Sequence, residues 1–265
     1  MRVMSLTLLA LMVAGSAMSP AVSDGHTVLY LDGNDSFQGY VAYPSDMKKA
    51  RPAVMIVHQW MGVTNYEERR ARALAEQGYV AFVADIYGKG NRPTDSASAG
   101  NFAGKYKGDR LLFRRRLKNA YETMVRMKGV DPKRTAVIGY CFGGTGAIEA
   151  GRAGIPALGF VSFHGGLDSP KPEDGANIKG RVLVLAGADD PFEKPADLDA
   201  FKAEMDSNHV SMRYVAYPGA VHAFTQKEAG NDNSKGAAYN AEADHKSWEE
   251  LGRFLEVIFN DPFGG

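Results

Sequence analysis

Apolar residues fall along this chain in short continuous blocks separated by amphipathic stretches. Ala53–His58, Val80–Ile86, Thr135–Ile138, Ala157–Phe163 and Val182–Ala186 are apolar almost throughout, the pattern of strands covered on both faces. Thr27–Leu31 and Ser36–Tyr43 instead alternate, and the Asp32-Gly33-Asn34-Asp35 turn between them predicts a hairpin. Val210–Tyr217 is a further predicted strand. Between the blocks the spacing predicts helices over Asn65–Gln77, with Asn65 as N-cap and Gly78 as the stop, over Asn101–Lys128, up to about Ala153, and over Pro195–Asn208. The last helix, roughly Ala237–Phe259, carries a stripe of Ala241, Trp248, Leu251, Leu255 and Ile258. Lys89–Gly100, rich in glycine, proline and serine, reads as an exposed loop. Strands alternating with helices predict an α/β fold, a mostly parallel central sheet with helices on both faces. No repeat, low-complexity tract or linker divides residues 24–265, which read as one domain.

Composition narrows this picture at three points. Lys plus Arg and Asp plus Glu number 31 each in 265 residues, so no charge excess points to nucleic acid, and the expected partner is a small molecule. Arg2, the apolar run Val3–Ala14 and the small residues to Ser23 have the form of a secretory signal peptide over residues 1–23, too short in its apolar part to span a bilayer. The expectation is an exported protein, periplasmic or secreted, with no membrane attachment after cleavage. Cys141 is the only cysteine, which excludes an intramolecular disulfide. The triplet Arg114-Arg115-Arg116 reads as a solvated helix face.

That cysteine stands in a special place. Gly139-Tyr140-Cys141-Phe142-Gly143-Gly144 follows directly on a strand and opens a helix, the strand–turn–helix of a nucleophile elbow with sulfur in place of the serine hydroxyl. Such a turn strains the backbone of the nucleophile and crowds its neighbours, which is why small residues flank it. The helix N-terminus then favours thiolate and oxyanion. The alternative is a buried, inert cysteine in a tight turn.

A thiol nucleophile needs a base and a group to orient that base. Two later strand ends offer them: Gly187-Ala188-Asp189-Asp190-Pro191 and Pro218-Gly219-Ala220-Val221-His222-Ala223-Phe224. The order nucleophile, acid, histidine is that of α/β-hydrolases. Asp190 is preferred over Asp189 on the G-x-x-D-P spacing. His222 is the candidate base; His58 and His164 also follow strands and are candidates to line the pocket, while His26, His209 and His245 read as surface residues. The oxyanion donors are expected to be the backbone N–H of Phe142 and, from the loop after Ala53–His58, that of Trp60. No cysteine cluster or H-x-x-x-H pair suggests a metal, and no cofactor is implied.

GYCFGG, the HQWMG loop, DIYG, GADDP and PGAVHAF, in this order between Gly39 and Phe259, together resemble the dienelactone hydrolase family, cysteine hydrolases of the α/β-hydrolase fold. The resemblance implies a Cys141–His222–Asp190 triad, an oxyanion hole at Trp60 and Phe142, and a small ester or lactone as substrate. Two features depart from it. Gln59 stands where the best-known members have a glutamate beside the thiol. Lys89 and Gln226 stand where they have two arginines on the substrate carboxylate, and a neutral Gln226 makes no charge-assisted fork. The expected chemistry is therefore ester or lactone hydrolysis through an acyl-cysteine, with dienelactone itself not implied. The rival reading is a catalytically silent or redox-sensing protein built around a reactive thiol.

Overall fold

A computed structural model describes residues 25–260; the expected signal segment, residues 1–23, lies outside them. Eight strands form one mixed sheet: β1 (His26–Asp32), β2 (Asp35–Ala42), β3 (Arg51–Val57), β4 (Val80–Ala84), β5 (Val130–Tyr140), β6 (Gly159–Phe163), β7 (Arg181–Gly187) and β8 (Met212–Tyr217). Their order is β1-β2-β4-β3-β5-β6-β7-β8. The hairpin β1–β2 and the pair β2–β4 are antiparallel, and every pairing from β4 to β8 is parallel.

The apolar blocks are explained by two cores. Ala53, Met55 and Val57 point to one face, where α2 (Ser96–Gly108), α3 (Arg110–Val125), α4 (Phe142–Arg152) and α5 (Pro195–Ser207) contribute Tyr106, Phe113, Leu117, Ile148, Phe201 and Met205. Val54 and Ile56 point to the other, covered by Leu74 of α1 (Asn65–Glu76) and by Leu251, Leu255 and Ile258 of α6 (Ala241–Asn260). A strand packed on both faces cannot alternate, so its sequence does not.

Several expectations are corrected. The single helix expected over Asn101–Lys128 is two, and the first begins inside the expected loop, capped by Asp95 and Ser98. Asp109 leaves helical geometry (φ −116°, ψ 83°), ends α2, and caps α3 through Leu112 N–H. The residues of α2 carry almost no apolar periodicity, so the sequence does not mark where it ends. The N-cap of α1 is Thr64 rather than Asn65, in a capping box with Glu67. The last helix starts at Ala241, with Asn240 Oδ1 accepting from Ala243 N–H.

The arginine triplet is also not a solvated face. Only Arg115 is exposed. Arg114 donates to Glu149 (2.7 Å) and Asp174, and Arg116 to Asp32 and Asp35. Glu149, fully buried, also accepts from Arg152, whose other arm reaches Glu204 at 2.6 Å. Removing one member strands buried charge on the others. Arg152→Ala is expected to destabilise the fold by about 3–5 kcal/mol, read as a lower urea midpoint with the slope unchanged.

Candidate active site

Cys141 sits at the carboxyl end of β5, between the strand and α4. Its backbone has φ 54° and ψ −115°, left-handed and unfavourable for a residue with a Cβ. Packing enforces it. A Cβ on Gly139 would lie 1.9 Å from Gly143 O, and one on Gly143 would lie 2.1 Å from Val57 O, so helix α4 starts in direct backbone contact with β5 and β3. His164 (φ 39°) and Ala223 (φ 57°) are also left-handed and line the same cavity. Three of the four such non-glycine residues described thus cluster around one site.

Strand register brings the partners together. Gly187 pairs with Tyr217, so the loops after β7 and β8 emerge side by side. Asp190 Oδ2 meets His222 Nδ1 at 2.8 Å, and His222 Nε2 meets Cys141 Sγ at 3.1 Å. Asp190 Oδ1 accepts from Phe192 N–H at 2.8 Å, which fixes the carboxylate. Asp189 points elsewhere, accepting from Gly219 N–H. The contact to the imidazole is made by Asp190.

Burial pushes the Cys141 thiol up, but the imidazolium of His222, its hydrogen bond and the N–H of Phe142 outweigh that, so the thiol lies below its ordinary value. Burial pulls His222 down; the Cys141 sulfur and Asp190 outweigh it and raise the imidazole to about 10. The two shifts oppose their burial and reinforce one another, the thiol lowered and the imidazole raised.

Trp60 lies in a loop whose neighbouring groups are engaged. Gln59 N–H donates to Glu67 Oε1, Met61 N–H donates to Gln59 Oε1, and Trp60 O accepts from Tyr87 Oη. The Trp60 N–H has no acceptor among the described residues. Phe142 N–H faces the sulfur, and its ring is stacked on Phe113 at 4.6 Å and on His58 at 5.7 Å.

A cavity of about 620 Å³ opens on Cys141, lined by Gln59, Trp60, His164, His222 and Gln226 among others. Lys89, expected there, is exposed and outside the lining; its N–H is tied to Ser36 O. The cation in the wall is Lys107 of α2, which helical periodicity gave no reason to single out. His58 is also outside it: the buried ring joins the ends of β3 and β4, Nδ1 to Gln59 O and Nε2 to Ile86 N–H, and burial lowers it to about 4.

His164 does more than line the wall. Tyr140 pairs with Phe163, which sets His164 beside Cys141. Its Nδ1 accepts from Cys141 N–H at 3.2 Å, and Nε2 meets Thr225 Oγ1 at 2.9 Å. Thr225 contacts Tyr66 Oη at 2.7 Å, and Arg70 bonds to Tyr66, Thr225 O and Asp244. Burial and the neighbouring imidazolium keep His164 well below its ordinary value, hence neutral. Tyr66, Thr225 and Arg70 carried no motif in the sequence; only their contacts reveal them. Among the described residues, no group of three or more His, Cys, Asp or Glu is placed to hold a metal.

A strand–turn–helix with a thiol at its apex, facing a carboxylate and an imidazole from the loops after β7 and β8, stands on the largely parallel sheet of an α/β-hydrolase fold. Residues 37–259 match the dienelactone hydrolase family. The chain belongs to that family. A putative carboxymethylenebutenolidase of Saccharolobus solfataricus is 24% identical over 87% of this chain and 98% of its own length, and protein usf of Aquifex pyrophilus is 28% identical over 77% and 88%. Two solved structures, m3DLH and the dienelactone hydrolase-like promiscuous phosphotriesterase P91 from metagenomic libraries, superpose with TM-scores of 0.87 and 0.86. Each is 32% identical and covers 90% of this chain and all of its own.

Taking away the imidazolium removes the two largest influences that lower the thiol and leaves burial opposed only by the Phe142 N–H and Lys107. In His222→Ala, the midpoint of iodoacetamide alkylation against pH is expected to move above the ~8.5 of a free cysteine, while the wild type lies below it. Gln59→Glu, which sets a negative charge beside the sulfur, is expected to raise the wild-type midpoint as well.

Proposed function

We propose that this chain hydrolyses a carboxylic ester or lactone through an acyl-cysteine, with Cys141 as nucleophile, His222 as acid and base, and Asp190 as its orienting group. The observation that carries this reading is the continuous contact from Asp190 through His222 to the Cys141 sulfur at 2.8 and 3.1 Å.

The thiolate attacks the carbonyl carbon, and the carbonyl oxygen becomes an oxyanion facing the N–H groups of Trp60 and Phe142. Losing one such donor typically slows turnover about a hundredfold or more. The tetrahedral adduct collapses as the carbon–oxygen bond to the alcohol breaks and His222 Nε2 gives its proton to the leaving oxygen. Neutral His222 then takes a proton from water, whose oxygen attacks the thioester, and the thiolate leaves with the carboxylic acid formed. Asp190 holds Nδ1–H throughout, so Nε2 faces sulfur at each step.

Hydrolysis of 4-nitrophenyl acetate by the purified protein is expected, with an acyl adduct on Cys141 visible in the intact mass after rapid quenching. Cys141→Ala is expected to abolish both, and Asp190→Asn to lower kcat by about 10³–10⁴. Since the reactive form needs the sulfur deprotonated and the imidazole protonated, kcat/KM is expected to rise with pH through the lowered thiol value and fall again near 10. Full activity in the alanine variant would refute the nucleophile. A wild type without turnover on a panel of esters and lactones would favour the redox-sensing alternative.

A further inference from the structure

In the loop after β3 one backbone donor is left over. Gln59 N–H donates to Glu67 Oε1 at 3.1 Å, Met61 N–H to Gln59 Oε1 at 3.0 Å, and Gly62 N–H to Gln59 O at 3.1 Å. The Trp60 N–H among them meets no acceptor within the described residues, and Trp60 lines the cavity that opens on Cys141. Backbone amides away from bulk water are ordinarily paired. A loop that engages each neighbouring amide and spares this one leaves it for an acceptor arriving in the cavity.

That N–H is aimed from the other end of its own peptide unit. In a trans peptide the C=O and N–H point in opposite directions, and no described peptide bond is cis. Gln59 O, the carbonyl of this unit, is held by His58 Nδ1 at 2.6 Å as well as by Gly62 N–H. On the far side of the ring, His58 Nε2 accepts from Ile86 N–H at 3.2 Å. The neutral ring therefore carries its hydrogen on Nδ1 and gives it to Gln59 O. A hydrogen bond on the carbonyl also polarises the N–H of the same unit.

The ring has no freedom to turn away. It is fully buried, edge-on to Tyr87 at 4.6 Å and stacked at 5.7 Å on Phe142, the residue that supplies the other expected oxyanion donor. One side chain thus touches both halves of that site.

We propose that His58 is a positioning residue for the oxyanion: its Nδ1–H fixes the Gln59–Trp60 peptide plane and so presents the Trp60 N–H to a carbonyl oxygen bound at Cys141. The place of this contact in turnover rests on the ester-hydrolase reading, whereas the aim of the N–H does not.

Two substitutions divide the ring's contacts. In His58→Asn the side-chain amide sets an N–H donor where Nδ1 stood and gives up Ile86; in His58→Gln the amide oxygen takes the place of Nε2 and gives up Gln59 O. A ring that only tied β3 to β4 would make His58→Asn the worse variant. The proposal expects the reverse. With 4-nitrophenyl acetate, His58→Gln is expected to lower kcat about tenfold or more with KM little changed, and His58→Asn to stay within about threefold of the wild type. Alkylation by iodoacetamide, a displacement at a saturated carbon that develops no oxyanion, is expected to keep its rate and its pH midpoint in both.

A further measurement needs no turnover. The Cys141 sulfur adds reversibly to the carbonyl carbon of 2,2,2-trifluoroacetophenone, and the carbonyl electron pair moves to oxygen, leaving a tetrahedral oxyanion. The concentration that half-protects Cys141 from iodoacetamide is expected to rise about tenfold in His58→Gln and little in His58→Asn. Where only His58→Asn folds, near-wild-type hydrolysis and protection in it support the proposal, and a tenfold loss of both overturns it. The proposal also falls if His58→Asn is the weaker variant, if alkylation declines in step with hydrolysis, or if protection by the ketone is the same in His58→Gln as in the wild type. Protection weakened in His58→Gln, in a protein that hydrolyses no ester, would keep the role of His58 and overturn the ester-hydrolase reading.

Discussion

Everything in this site depends on one strained residue being held in place. Cys141 keeps a left-handed backbone because β5, β3 and α4 close on it with no room for a Cβ at Gly139 or Gly143. A residue in that region costs on the order of 1–3 kcal/mol and persists only where its surroundings over-determine it. The strain has a return in geometry. The sulfur stands clear of the strand end, the Phe142 N–H turns toward it, and the axis of α4 points at it.

Three imidazoles follow or face the strand ends around this site, and their surroundings shift them differently. His58 and His164 are buried, and burial outweighs every attraction they feel, so both stay neutral. His222 is partly buried, but it alone sits between the Cys141 sulfur and a carboxylate, and it alone is raised. A second charged ring at His164, 5.2 Å from His222 between ring centroids, would compete for the same sulfur. Kept neutral, His164 has a free Nδ1 lone pair for the Cys141 N–H. That bond makes the tautomer definite: Nε2 carries the hydrogen and donates to Thr225 Oγ1. One ring thus faces the sulfur and its neighbour holds the Cys141 backbone.

The sequence showed the strands and the elbow because both depend on local constraints: continuous apolar blocks, and glycines that no other residue can replace. It brought Asp190 and His222 forward as candidates because each lies in a loop that follows a predicted strand. What it hid depends on contact across the fold. The break at Asp109 depends on that residue's backbone and on its cap to Leu112 N–H, which the apolar pattern does not reveal. Arg114 and Arg116 look solvated until Asp174, Asp32, Asp35 and Glu149 are brought to them from other elements. Lys89 was placed in the pocket by resemblance, and the turn after β4 carries it outward. Lys107 faces inward from a helix whose small residues, Ala97, Gly100 and Gly104, give almost no directional signal.

Helix α4 shows why the elbow cannot be understood from its own residues. Its sequence, FGGTGAIEAGR, has glycine at 143, 144, 146 and 151, and each costs up to about 1 kcal/mol relative to alanine in a helix interior. Such a segment would not be helical in isolation. Yet all of its residues are buried. The same glycines that weaken the helix let its backbone lie against β3, β6 and Phe113, where side chains would hold it off. The far end is then tied by ion pairs: Glu149 to Arg114, and Arg152 to Glu204 across to α5. Close approach at one end and buried charge at the other replace the intrinsic propensity the helix lacks. The N-terminus that faces the sulfur is therefore set by the surrounding fold, and its aim is only as good as that distant network.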